Sequence, residues 1–196
     1  MKMYNNQLLR LEKSYKVIKE RKTMPINEFY EDYVDFETTL KSCKECVMYD
    51  NNWSCPPFDN NIQEIWHKYE NVDLILSTLE YDKFITNKTH TEDEIDTILH
   101  LTLFNEKTKL LQEIRNQTME DDVTILSTGY CNLCPTCTRK DNTSCRYPNN
   151  RLHSVESVGG LVTKIAEDIF DTKLLWIDVN KGIIPEHLNL MMAVLY

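Results

Sequence analysis

Glycine is scarce in this chain: Gly129, Gly159, Gly160 and Gly182 are all it has in 196 residues. A phosphate-cradling loop needs several glycines at fixed offsets, so nucleotide binding of that kind is excluded. Basic charge is also short, with 22 Lys and Arg against 31 Asp and Glu and a net charge of −9. A broad nucleic-acid footprint or an anionic lipid surface would need the opposite sign. No run approaches the roughly 18 apolar residues that cross a bilayer. The opening M-K-M-Y-N-N-Q-L-L-R-L-E-K lacks the continuous apolar core of a secretory leader. The expectation is a soluble cytoplasmic protein with no nucleic-acid or membrane partner. There is no Gly/Ser linker, low-complexity segment or internal repeat, so residues 1–196 are expected to form a single domain. No Ser/His/Asp set and no metalloprotease helix motif is present, and the sequence assigns no reaction.

Against these absences stand seven cysteines, all in two stretches. Cys43, Cys46 and Cys55 fall in C-K-E-C-V-M-Y-D-N-N-W-S-C-P-P. Cys131, Cys134, Cys137 and Cys145 fall in C-N-L-C-P-T-C-T-R-K-D-N-T-S-C-R-Y-P. In a reducing compartment such density reads as metal binding rather than disulfides, and seven is an odd number.

Hydrophobic periodicity predicts an α+β fold with a mixed or antiparallel sheet of about five strands. The strands are expected at 14–22, 72–81, 123–129, 174–179 and 188–195. Pro25 is expected to open a helix through Tyr33, with further helical turns at 36–42 and 61–69. The clearest helix is 92–117, where Thr91 and Glu94 match a capping box. Ser154 is expected to N-cap a helix carrying Val155, Val158, Val162, Ile165 and Ile169 on one face. Both cysteine stretches are then loops.

The C-x2-C-x2-C spacing of Cys131, Cys134 and Cys137 is the most informative feature. Three thiols two residues apart converge only from a loop wrapped around a compact object. A [4Fe–4S] cube is such an object, with a remote cysteine as fourth ligand. Cys55, followed by Pro56, and Cys145, with Pro148 three residues on, both qualify. Zinc competes: Cys43 and Cys46 with an adjacent pair from 131–137 would complete a tetrahedral site. From 139 to 151, Arg139, Lys140, Arg146 and Arg151 face one acid, Asp141, a local charge of +3. That balance suits an anionic thiolate site, and equally a solvated basic loop. Trp53 reads as a packing lid, Pro56-Pro57 as a stiff turn, and Glu156 as a complement to the dipole of the following helix. His153 is the histidine nearest the cysteines and could ligate metal; it also suits a structural position before Ser154.

These motifs, followed by S-V-E-S-V-G-G, resemble a prokaryotic family of predicted metal-binding proteins, a domain of unknown function. The resemblance runs from about Pro25 to the final A-V-L-Y. All seven cysteines, Trp53, Pro56, Pro57, Arg146, Pro148, Ser154, Glu156 and Gly159 fall on its pattern. Two positions depart from it. His153 stands where the family has proline, so its ligation is not implied. Gly159-Gly160-Leu161-Val162 stands where the family tends to read Gly-Ile-Asp-Val, so an acidic role there is absent. The resemblance implies metal binding without naming the metal.

The leading reading is an iron–sulfur protein. Cys131, Cys134, Cys137 and Cys145 would hold one [4Fe–4S] cluster. Cys43, Cys46 and Cys55 would hold a second metal or cluster with an open position. The role would be electron transfer or redox support, with a redox partner protein or a small-molecule substrate. The alternative is a zinc-binding structural or interaction module without catalysis.

Overall fold

The computed structural model describes residues 11, 13–118 and 122–196. The stretch read above for a leader lies almost wholly outside them. Among the described residues the chain forms a four-stranded sheet and six α-helices. The strands are β1 (Tyr15–Pro25), β2 (Asn71–Tyr81), β3 (Thr124–Leu126) and β4 (His187–Leu195), in the order β1-β2-β4-β3. The helices are α1 (Ile26–Tyr33), α2 (Phe36–Lys44), α3 (Lys83–Thr86), α4 (Glu92–Leu99), α5 (Asn105–Gln117) and α6 (Val162–Phe170). No helix among the described residues is long and apolar enough to cross a membrane.

The sheet is antiparallel. Thr124, Ile125 and Leu126 of β3 pair with Leu195, Val194 and Ala193 of β4. Asn71 and Tyr196 exchange both backbone hydrogen bonds, and the Tyr81 amide donates to Glu186, which fixes the β2/β4 register. Ile26 to Glu70 and Asp82 to Ser14 bracket the β1/β2 pair in the same sense. Val72 through Ser77 are buried without alternation, as a central strand requires. β1 is mostly exposed and lies at an edge, in keeping with its low apolar content.

The fifth expected strand, 174–179, is not one. Asp178 and Ile183 exchange backbone hydrogen bonds around the turn closed by Gly182, so the segment folds back on itself. Local D-V-N-K-G turn chemistry prevails over the apolar run. Trp176 and Val179 are left exposed. The expected helix 92–117 is present but interrupted by a π-turn, His100–Phe104. There Thr102 donates to the Ile98 carbonyl and meets the Tyr81 hydroxyl. Its capping box is present in both directions, Glu94 N to Thr91 and Thr91 N to Glu94.

The chain divides into two compact units. The first comprises residues 1–20, 76–119 and 173–190, around Leu79, Tyr81, Ile85, Ile95, Ile98, Ile184, Leu188 and Leu190. The second comprises residues 21–75, 120–172 and 191–196 and contains every cysteine. Trp66 is its fully buried centre, its ring tilted against Phe29 at 5.2 Å and donating to the Val158 carbonyl at 2.8 Å.

The helix expected from Ser154 is broken in two. Ser154 and Ser157 cap one another's amides around a 3-10 turn, Glu156–Val158. Gly159 then takes φ +103°, and α6 starts only at Val162. The break is steric. A Cβ on Gly160 would lie 2.4 Å from Val155 Cγ1 and 2.9 Å from its carbonyl oxygen. That close approach lets Gly159 accept from the Asp35 amide at 2.8 Å, where α2 begins. Gly160→Ala is therefore expected to cost about 1–3 kcal/mol by overpacking. Urea unfolding measures it, and an unchanged midpoint would refute the packing argument.

Candidate metal centre

Helix α2 carries Cys43 on its last turn. Its N-terminus is capped by Asp35, which accepts from the Thr38 hydroxyl at 2.6 Å and the Thr38 amide at 2.9 Å. Those bonds hold the Asp35 carboxyl below its usual range. Beyond α2 the backbone winds through tight turns, with Cys46 N on Cys43 O and Tyr49 N on Cys46 O, both 3.0 Å. Asp50 takes φ +57° and donates its amide to Pro56 O at 2.8 Å, closing the loop. The Pro56–Pro57 peptide is cis.

Three polar side chains join this loop to the second cysteine stretch. Buried Asn52 donates to Cys131 O at 2.9 Å, and the Cys131 amide donates to Ser54 Oγ at 2.9 Å. Ser54 in turn donates to Asn52 Oδ1 at 2.9 Å. Side chains thus satisfy both backbone groups of Cys131, as a paired strand would. The third is Arg139, only 8% exposed. Its guanidinium donates to Asn52 O (3.1 Å), Cys55 O (2.7 Å) and Pro57 O (2.6 Å). It also pairs with Asp50 at 2.9 Å and lies over the Trp53 ring, 5.0 Å from its centroid.

The thiols form two groups. Cys131, Cys134, Cys137 and Cys145 line one hollow, with Trp53, Arg146 and Arg151 also on its wall. The Trp53 amide donates to Cys137 Sγ at 3.4 Å, and its indole N–H to Thr143 O at 3.0 Å. Cys55 does not line this hollow. It feels the charges of Cys43 and Cys46, its neighbours in the other group. Burial pushes the Cys55 thiol up to about 11, against a hydrogen bond with Ser54. Burial, then Glu156 and Cys46, raises Cys43 too. Both thiols hold their protons at neutral pH until a cation replaces them.

Among the described residues no three His, Cys, Asp or Glu side chains are gathered tightly enough to hold a single ion. A tetrahedral zinc site draws its sulfurs to about 4 Å from one another. The downstream hollow is about 20 Å³, the room of one water molecule, so a larger group has to part the loop around it. The donor set itself fits a thiophilic metal: four sulfurs, no carboxylate or imidazole on that wall, and two guanidiniums to balance thiolate charge.

His153 does not line the downstream hollow. Its Nδ1 donates to Ser54 O at 3.1 Å, and its ring meets Phe58 edge-on at 5.2 Å. It holds the Ser54 carbonyl, next to Cys55. The sequence reading missed the Asn52–Ser54–Arg139 ties. Arg139 counted there only as part of a basic run, because its carbonyl partners lie 82 to 87 residues away.

Burial, with Arg151 close by, lowers His153 to about 4. The unfolded chain then binds the extra proton between about pH 6.5 and 4. This contribution to stability is complete above pH 6.5 and is lost as pH falls towards 4. Wild type should lose about 2 kcal/mol between pH 7 and 5 from this group, and His153→Gln should not. Urea titrations at the two pH values compare them; equal slopes would dismiss the assignment. Arg139→Met is expected to cost about 3 kcal/mol and expose 43–60 to proteolysis, while Asp50→Asn, at an exposed carboxylate, costs under about 1. Unaltered melting of Arg139→Met would contradict this.

Residues 30–196 match the model of the family Predicted metal-binding protein (DUF2284), and the chain belongs to that family. No curated protein and no solved structure matches the chain.

Proposed function

We propose that this member of the predicted metal-binding family is an iron–sulfur protein with a redox or electron-transfer role. Cys131, Cys134, Cys137 and Cys145 hold one [4Fe–4S] cluster. Cys43, Cys46 and Cys55 form a second metal site with an open position. The observation that carries the reading is that all four downstream thiols line one hollow while Cys55 stands with Cys43 and Cys46. It favours Cys145 over Cys55 as partner of the C-x2-C-x2-C run.

When bound, a cluster of this type supplies one-electron transfer at a potential set by hydrogen bonds, charge and exposure. The chain's residues act on those settings. The Trp53 amide points at Cys137 sulfur, where a donor stabilises thiolate charge. Arg146 is held over the same loop by its bond to Thr136 O at 2.9 Å. Trp53 and Cys55 are two residues apart, so one short segment touches both thiol groups. Two redox centres on those thiols would stand close together, as electron transfer requires. Three thiols without a fourth leave room for a substrate or an exogenous ligand at the upstream site.

The experiment is iron and acid-labile sulfide analysis of protein purified anaerobically. Near-equal iron and sulfide, with broad visible absorbance, is the expected result. Stoichiometric zinc without sulfide would replace this reading with a colourless structural or interaction module. Single variants test the partition. Cys145→Ala and Cys134→Ala should lose the same spectral component, and Cys55→Ala should keep it. If Cys55→Ala bleaches that component and Cys145→Ala does not, the two groups are divided wrongly.

A further inference from the structure

Between Cys137 and Cys145 the chain makes a closed turn with an exposed tip. Thr138–Asp141 form a 3-10 turn, and Asn142 follows in the left-handed region at φ +51°. Asparagine enters that region more readily than most residues. The Thr143 amide then donates to Thr138 O at 3.1 Å, which reverses the chain. Residues 140–144 are all exposed and include no apolar side chain, so the closure serves no core.

What the closure fixes is the spacing of two thiols. On one side of them the Thr138 hydroxyl donates to Ser144 O at 2.9 Å. On the other side Arg146 Nη1 donates to Thr136 O at 2.9 Å. Cys137 is the residue between Thr136 and Thr138, and Cys145 is the residue between Ser144 and Arg146. The two rungs therefore bracket the two cysteines, and both cysteines line the same hollow. Thr138 is 7% exposed, so little water competes for its hydroxyl. The Trp53 indole N–H, 3.0 Å from Thr143 O, steadies the tip from the upstream loop. Closing a loop in advance removes an entropy cost from whatever binds across it.

We propose that Thr138 and Arg146 are positioning residues of the downstream centre, holding Cys137 and Cys145 opposite each other as a ready-made ligand pair before a metal arrives. This rests on the reading that the four downstream thiols share one centre, and it is indifferent to whether that centre holds iron or zinc. The two arginines then have different tasks. Arg139 fastens the upstream loop, while Arg146 fastens the fourth ligand to the C-x2-C-x2-C run.

Thr138→Val is nearly isosteric and lacks the hydroxyl, Thr138→Ser keeps it, and Arg146→Met keeps the stem without its N–H groups. The full chain, freed of metal, is oxidised with diamide. Peptide mass spectrometry then compares the yield of the Cys137–Cys145 bridge with that of the Cys43–Cys46 bridge in the same sample. Thr138→Val and Arg146→Met should each lower this ratio about fivefold, the weight of one hydrogen bond, and Thr138→Ser should match wild type. In protein purified anaerobically with its metal, the same two variants should release that metal to excess chelator about fivefold faster. No Cys137–Cys145 bridge in wild type, a wild-type ratio in both variants, an equal loss in Thr138→Ser, or metal release unchanged by both variants would each overturn the proposal. Purified protein with no metal on the downstream thiols would instead sink the shared centre, and the bridge ratio would still decide the clamp.

Discussion

The thiol-bearing unit depends on where one guanidinium goes. Arg139 is almost fully enclosed, and an enclosed charge is tolerated only with its donors satisfied. Its five N–H groups form a planar fork, and the upstream cysteine loop presents the carbonyls of Asn52, Cys55 and Pro57 to that fork. A lysine could not span three carbonyls in fixed directions. The loop's turns, the left-handed Asp50 and the Asp50–Pro56 closure are the geometry that brings those carbonyls together. The two cysteine stretches are therefore folded around each other, and neither has its observed course without the other.

The charge around the thiols argues in the same direction. Burial holds Cys43 and Cys55 protonated, and Glu156 adds negative charge beside Cys43. A site built for a free nucleophilic thiolate would do the reverse, surrounding sulfur with cations or a helix N-terminus. Cys43 instead sits on the last turn of α2, where the helix dipole is negative. Such an environment disfavours an unpaired thiolate and favours a cation, so protons and metal compete for the same sulfurs. Affinity should then rise with pH over the range in which the thiols give up their protons.

Where local chemistry agreed with tertiary packing, the sequence was readable. β2 and β4 are long apolar runs and became the central strands. Thr91 and Glu94 became the capping box they spelled. The failures have specific causes. Residues 174–179 have strand-forming side chains, but the turn at Gly182 competes for their backbone groups. The helix read through Val155 to Ile169 has the right period, and Gly159-Gly160 breaks it where Val155 leaves no room for a Cβ. At the candidate site the cysteines were visible from spacing. What orients them was not, since Asn52, Ser54 and Arg139 act on backbone groups more than 75 residues distant. Polar residues in a loop look alike in sequence, whether they face solvent or hold the loop's backbone.

That last distinction decides how a metal would bind. A zinc-finger loop has few internal bonds, so metal binding and folding are one event. Here the loops already carry Asn52 and Ser54 on Cys131, Trp53 on Thr143, Arg139 on three carbonyls and Arg146 on Thr136. Each such bond contributes on the order of 1 kcal/mol net. Together they restrict the thiols before any metal arrives, and less of the metal's binding free energy goes into ordering the chain. The bonds run almost entirely from side chain to backbone. They act on the backbone that carries the thiols, and the sulfurs themselves are more lightly held, Cys137 by the Trp53 amide and Cys55 by Ser54. A loop of that kind can part around a bound group by turning sulfurs, with its path between Cys131 and Cys145 preserved.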